Sequence, residues 1–189
     1  SAVLAAARPS PSGGERAIAM GDLNGDDLED VAVRTRDGSV AVVYGRAPGT
    51  PLPTSIGGLD GSHGFRISGG GSRYSALPIG DLDNDGFDDL VVDEVSSLPV
   101  YERSYFVRGR ASFPAQFFPT LTNSVVLPQE IDLARSYRSG DFDGDGHGDL
   151  VIALSNVFSE VQIRFGDGTF AGMANSTRRV TVRQAFAGD

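Results

Sequence analysis

Three times, at a spacing of 59 and then 60 residues, the chain repeats a nine-residue acidic phrase with oxygen-bearing side chains at positions 1, 3, 5 and 9. The residues are Asp22, Asn24, Asp26 and Asp30, then Asp81, Asp83, Asp85 and Asp89, then Asp141, Asp143, Asp145 and Asp149. Positions 4 and 6 hold Gly, Asn or Asp, which let a backbone curl tightly. Oxygens crowded into so small a loop repel one another unless a hard cation sits among them. Calcium suits such a set, because it accepts about six to eight oxygen ligands in irregular geometry, whereas magnesium demands an octahedron and keeps its waters. With no cysteine and two histidines, zinc or copper would have almost nothing to bind.

The alternation resembles the start of an EF-hand loop, but that motif needs a bidentate Glu at position 12, and here position 12 is Val33, Val92 and Ile152. The loops therefore close at position 9. The backbone carbonyl at position 7, from Leu28, Phe87 and His147, is a further expected ligand. The competing reading is a solvated acidic turn, which suits one copy far better than three copies in register. Three calcium ions are expected, the first loop binding most weakly because Asn24 stands at position 3 and Asp27 replaces Gly.

What must position these loops is strand. After each ninth residue comes a short apolar run, 31–33, 90–92 and 150–154, rich in β-branched residues and suited to cover on both faces. Next come 39–44, 104–107 and 161–165, each leading to a glycine, Gly45, Gly109 and Gly166. Further runs follow at 65–67, 125–127 and 180–182, and each loop is preceded by another at 17–20, 76–79 and 135–139. No segment shows sustained helical periodicity. The reading is all-β, three four-stranded antiparallel propeller blades at about 15–70, 71–128 and 129–187, after a tail or blade remnant over 1–14.

The stretch 74–80, the loop that follows and Leu90-Val-Val resemble the FG-GAP repeat of the integrin alpha-chain propeller and its secreted bacterial relatives. Val42-Val-Tyr-Gly-Arg and the segment 59–67 are similar to the bacterial version, and the third repeat, with 140–146 and 166–170, to the related VCBS repeat. The resemblance runs over about 17–182 and implies calcium at positions 1, 3, 5 and 9. The Phe-Gly and Gly-Ala-Pro signatures are absent around the second loop, so integrin-like ligand recognition is not implied.

A secreted or cell-surface protein of bacterial type is expected, since weak calcium loops need millimolar calcium, and no apolar run is of membrane-spanning length. All sixteen basic residues are Arg. The net charge of −9, which three calcium ions would bring to −3, argues against nucleic acid and anionic membranes as partners. No nucleophile elbow or thiol exists, and His63 and His147 have no evident triad partners, so the chain is read as not an enzyme.

Two binding classes remain. One is a protein-interaction or adhesion module using rim loops, with 94–103 (Tyr101 and Arg103) and 154–160 as candidate contacts. The other is a carbohydrate-binding, lectin-like module or accessory domain of a secreted enzyme, with Tyr74, Tyr105 and Tyr137 as sugar platforms. Asp60, outside the loops, is expected to be solvated. Propellers close with about four to eight blades, so three imply a partial propeller, completed by self-association or by further blades of a longer chain.

Overall fold

A computed structural model describes residues 17–51, 53, 55–69, 71–97, 100–120, 123–127, 134–154, 160–176 and 179–183. The expected tail over 1–14 and most of the 154–160 connection lie outside them. Strands β1 (Ala17–Gly21), β2 (Asp30–Arg34), β3 (Val40–Val43) and β4 (Gly64–Ile67) form the first antiparallel sheet in chain order. The second consists of β5 (Arg73–Gly80), β6 (Asp89–Ser97), β7 (Val100–Val107) and β9 (Val125–Val126). The third is β10 (Ala134–Gly140), β11 (Asp149–Leu154), β12 (Glu160–Arg164) and β13 (Arg179–Arg183). Each repeat thus yields four antiparallel strands, as its apolar runs predict.

Three features depart from the sequence reading. Strand β8 (Gln116–Phe117) crosses back and pairs in parallel with β4, making the first sheet five-stranded. A helix, α1 (Phe170–Asn175), follows β12, and Thr169 caps it by accepting from the Gly172 N–H. At six residues it is too short to leave a periodic trace. The expected connection over 94–103 is a hairpin instead: β6 and β7 continue into it, with Glu94 opposite Arg103 and Ser97 opposite Val100.

The sheets stand in chain order, with β5 between β1 and β10. Pro78, which cannot donate to a ladder, is tolerated because β5 is the edge strand of its sheet. Leu90, Val91 and Val92 are all fully buried, because the second sheet is covered on both faces. Leu90, Val92, Tyr105 and Val107 pack toward Val42, Tyr44, Phe65 and Ile67 of the first sheet. Val91 and Phe106 point the other way, to Leu150, Ile152 and Phe170.

This packing removes the proposed sugar platforms. Tyr74, Tyr105 and Tyr137 are 4%, 4% and 1% exposed, so all three belong to the core. Tyr74 and Tyr105 donate to the buried Glu94 carboxylate at 3.2 and 2.9 Å. A tyrosine committed in this way presents no ring to solvent.

Candidate metal centre

Each acidic loop joins the first strand of its sheet to the second, and its curl begins at position 1. Asp22 Oδ1 accepts from the amides of Gly25 (2.7 Å) and Asp26 (3.1 Å), and its Oδ2 from that of Asp27 (2.7 Å). Asp81 accepts from Asp85 and Gly86 at 3.0 and 2.9 Å, and Asp141 from Gly144 and Gly146 at 2.7 and 3.0 Å. Wrapping the backbone around a single carboxylate forces left-handed conformations at positions 4 and 6. Gly25, Asn84 and Gly144 adopt φ of 74°, 57° and 78°, and Asp27, Gly86 and Gly146 adopt 65°, 91° and 87°.

Position 9 ties each loop to the rest of its sheet. Asp30, Asp89 and Asp149 are fully buried. Their Oδ2 atoms accept from the position-2 amides of Leu23, Leu82 and Phe142 at 3.0, 2.8 and 2.7 Å. Their Oδ1 atoms accept from Gly45, Gly109 and Gly166 at 2.8, 3.0 and 2.8 Å. Those glycines recur for lack of room: an added Cβ would lie 2.6, 2.3 and 2.1 Å from the carbonyl oxygens of Glu29, Asp88 and Gly148.

Two loops gather carboxylates closely enough for a metal ion. Asp81, Asp83 and Asp89 present oxygens within 4.8 Å of one another, and so do Asp141, Asp143 and Asp149. Among the described residues the first loop forms no such three-carboxylate group; its Asn24 donates through Nδ2 to Asp26 Oδ2 at 3.1 Å. The position-5 residues stand outside both groups. Asp26, Asp85 and Asp145 accept instead from the position-7 amides of Leu28, Phe87 and His147, at 3.0, 3.1 and 2.9 Å.

Burial sets the electrostatics. Desolvation raises the Asp89 carboxyl to about 7 and Asp30 to about 6, against the backbone amides that favour their charged forms. Asp83 is also raised by desolvation, opposed by Arg108, whose Nε donates to its Oδ2 at 3.0 Å. The Asp83 side chain is only 5% exposed, and its buried Oδ1 has no hydrogen-bond partner. This donor set of hard oxygens, one of them buried and unmatched, fits calcium.

Two residues missed by sequence reasoning link the loops. Asp88, at position 8 of the second loop, accepts from the Asp22 amide and donates its own amide to the Asp22 carbonyl, both at 2.8 Å. Arg108, two residues beyond Phe106 in β7, faces the third sheet, its guanidinium 5.0 Å from the Phe170 ring centre. Asn84 adds a bond from its Nδ2 to the Gly146 carbonyl at 3.1 Å. The one available signal was for Arg108, a charge where the other repeats carry the aromatics Tyr44 and Phe165; Asp88 has none, since position 8 reads Glu29, Asp88 and Gly148.

Asp60 is exposed, as expected, but its carboxylate is engaged in its own turn. Its Oδ1 accepts from Ser62 Oγ (2.8 Å) and the Ser62 amide (3.0 Å), and meets His63 Nδ1 at 3.0 Å. The His63 contact, followed by the Ser62 hydroxyl, holds its carboxyl well below the usual range.

Residues 22–92 match the family model of an FG-GAP-like repeat. The match begins at position 1 of the first loop and takes in the whole second loop, consistent with a repeat of FG-GAP type. Among the described residues, no helix is long and apolar enough to cross a membrane.

Proposed function

We propose that the chain is a non-catalytic, calcium-binding module of β-propeller type for extracellular protein interaction or adhesion, each sheet serving as one blade. The observation that carries the calcium reading is the unmatched Asp83 Oδ1, buried beside Asp81 and Asp89. Leaving such an oxygen without a partner costs about 1–3 kcal/mol, which a bound cation would offset. Asp81, Asp83, Asp85, Asp89 and the Phe87 carbonyl would hold one ion, and Asp141, Asp143, Asp145, Asp149 and the His147 carbonyl another. Asp22, Asn24, Asp26, Asp30 and the Leu28 carbonyl would hold the third. When bound, calcium supplies charge neutralisation and a tie between the two ends of each loop. Calorimetry with calcium chloride should give three sites on the 189-residue chain. An absence of binding heat at millimolar calcium would sink the reading.

The partner reading rests on the repeat itself. Leu23 and Leu82, at position 2 of the first two loops, are 0% and 2% exposed beneath the following sheet, whereas Phe142, their counterpart in the third, is 53% exposed. Val180 and Val182, on the edge strand β13 of the same sheet, are 47% and 58% exposed. The first sheet presents the half-buried Val31, Val33 and Val43 on the face turned away from the second. The third sheet of one copy would take the first sheet of another, repeating the contact already made twice within the chain. Sedimentation should then reveal self-association at micromolar concentration, and a lone monomer would refute it.

A further inference from the structure

A cation is already built in beside the second loop. Arg108 Nε donates to Asp83 Oδ2 at 3.0 Å, and its guanidinium lies 5.0 Å from the centre of the Phe170 ring. That ring is 1% exposed and packs edge-on against Phe106, with centroids 5.3 Å apart, so the aromatic seat is fixed. The Arg108 side chain is 56% exposed, so it can swing into water without unpacking the core. Only one of the two Asp83 oxygens is occupied in this way; the other is buried and unmatched, in a residue that clusters with Asp81 and Asp89. At the corresponding step before the glycine the other repeats carry Tyr44 and Phe165, neither of them charged.

We propose that Arg108 is a resident counter-cation of the second loop, holding its carboxylates together when no ion is bound and competing with calcium when one arrives. The inference rests on the calcium reading above. The second loop then binds calcium more weakly than its full set of carboxylates would dictate, and it stays folded at low calcium. Two positive groups sharing Asp83 repel each other, and because Arg108 is half-exposed the effect is a modest change in affinity.

The test is a calcium chloride titration of the 15N-labelled chain. It follows the amides of Gly25, Gly86 and Gly146, each of which donates to the position-1 Asp of its own loop, at 2.7, 2.9 and 3.0 Å. Arg108→Met keeps an apolar stem over Phe170 and removes the charge. It should bring the Gly86 midpoint to about fivefold to tenfold lower calcium, with Gly25 and Gly146 unmoved. Arg108→Lys keeps the charge and should stay near wild type, so that a shift confined to Arg108→Met marks the charge, since a purely packing role would leave both variants unchanged. Calcium-free Arg108→Met should melt below wild type. If it unfolds, the titration is run backward by EDTA from the loaded form.

A Gly86 midpoint that is equal or higher in Arg108→Met, or that drops as far in Arg108→Lys, overturns the inference and leaves the calcium reading intact. If Gly86 responds in no variant while Gly146 does, the inference falls and calcium remains assigned to the third loop. If no glycine responds in any variant, both fail.

Discussion

The second and third loops carry the same carboxylates at positions 1, 3, 5 and 9, yet they occupy different surroundings. In the second, Asp81 and Asp83 are half-buried and Leu82 lies under the next sheet; in the third, Asp141, Phe142, Asp143 and Asp145 are all exposed. Asn84 and Arg108 both reach toward the third sheet, whereas no further sheet stands beyond the third loop among the described residues. Neighbours, more than ligand identity, thus set how dry a loop is and how much its charges need a partner.

The largest way to probe that contrast is to remove calcium. With a dissociation constant near ~0.1 mM in ~1 mM calcium, each site contributes about 1.4 kcal/mol and three about 4 kcal/mol. A melting temperature unmoved by EDTA would mean the loops need no ion. Next, Leu82→Ala should cost about 2–4 kcal/mol in chemical denaturation, while Phe142→Ala should stay within about 0.5 kcal/mol in the monomer and weaken self-association instead. Equal losses would erase the distinction between a covered and an open sheet.

Acid titration sharpens the contrast further. Asp89 titrates near 7 in the folded chain, against an ordinary value of about 3.9 when unfolded, so between these the folded state binds more protons. Stability of the calcium-free chain should therefore fall as pH rises from about 4 to 7, with Asp30 contributing up to about 6. Saturating calcium should flatten the fall. A calcium-free melting temperature that rises across this window would contradict the assigned burial.

The smallest effect comes from one ligand. Asp85→Ala should lose the second ion and about 1.4 kcal/mol of calcium-dependent stability. Glu102→Gln, at an exposed position outside the loops, removes one charge and should change neither. Matching losses would mean that charge alone matters. Asp60 is unsuited as this control, because its carboxylate organises the turn to His63.

The strands and loops were legible because their signals are local. Positions 4 and 6 demanded small or Asx residues, and Gly45, Gly109 and Gly166 marked the strand ends that press on the loops. The parts that escaped depend on contacts between sheets. Tyr74, Tyr105 and Tyr137 look available until the neighbouring sheet covers them, and Arg108 looks like any basic surface residue until Asp83 and Phe170 are seen on either side. The parallel pairing of β8 has two residues and no pattern of its own.

The bond from the strand-end glycine to the ninth aspartate spans 15, 20 and 17 residues in the three repeats, yet its length stays between 2.8 and 3.0 Å. The added length of the second repeat is taken up along its strands: β6 and β7 run nine and eight residues where β2 and β3 run five and four, all of it away from the clasp. Lengthening at that far end therefore leaves this clasp in register. A single methyl added at Gly109, by contrast, would collide with the Asp88 carbonyl and the Phe87 side chain at once.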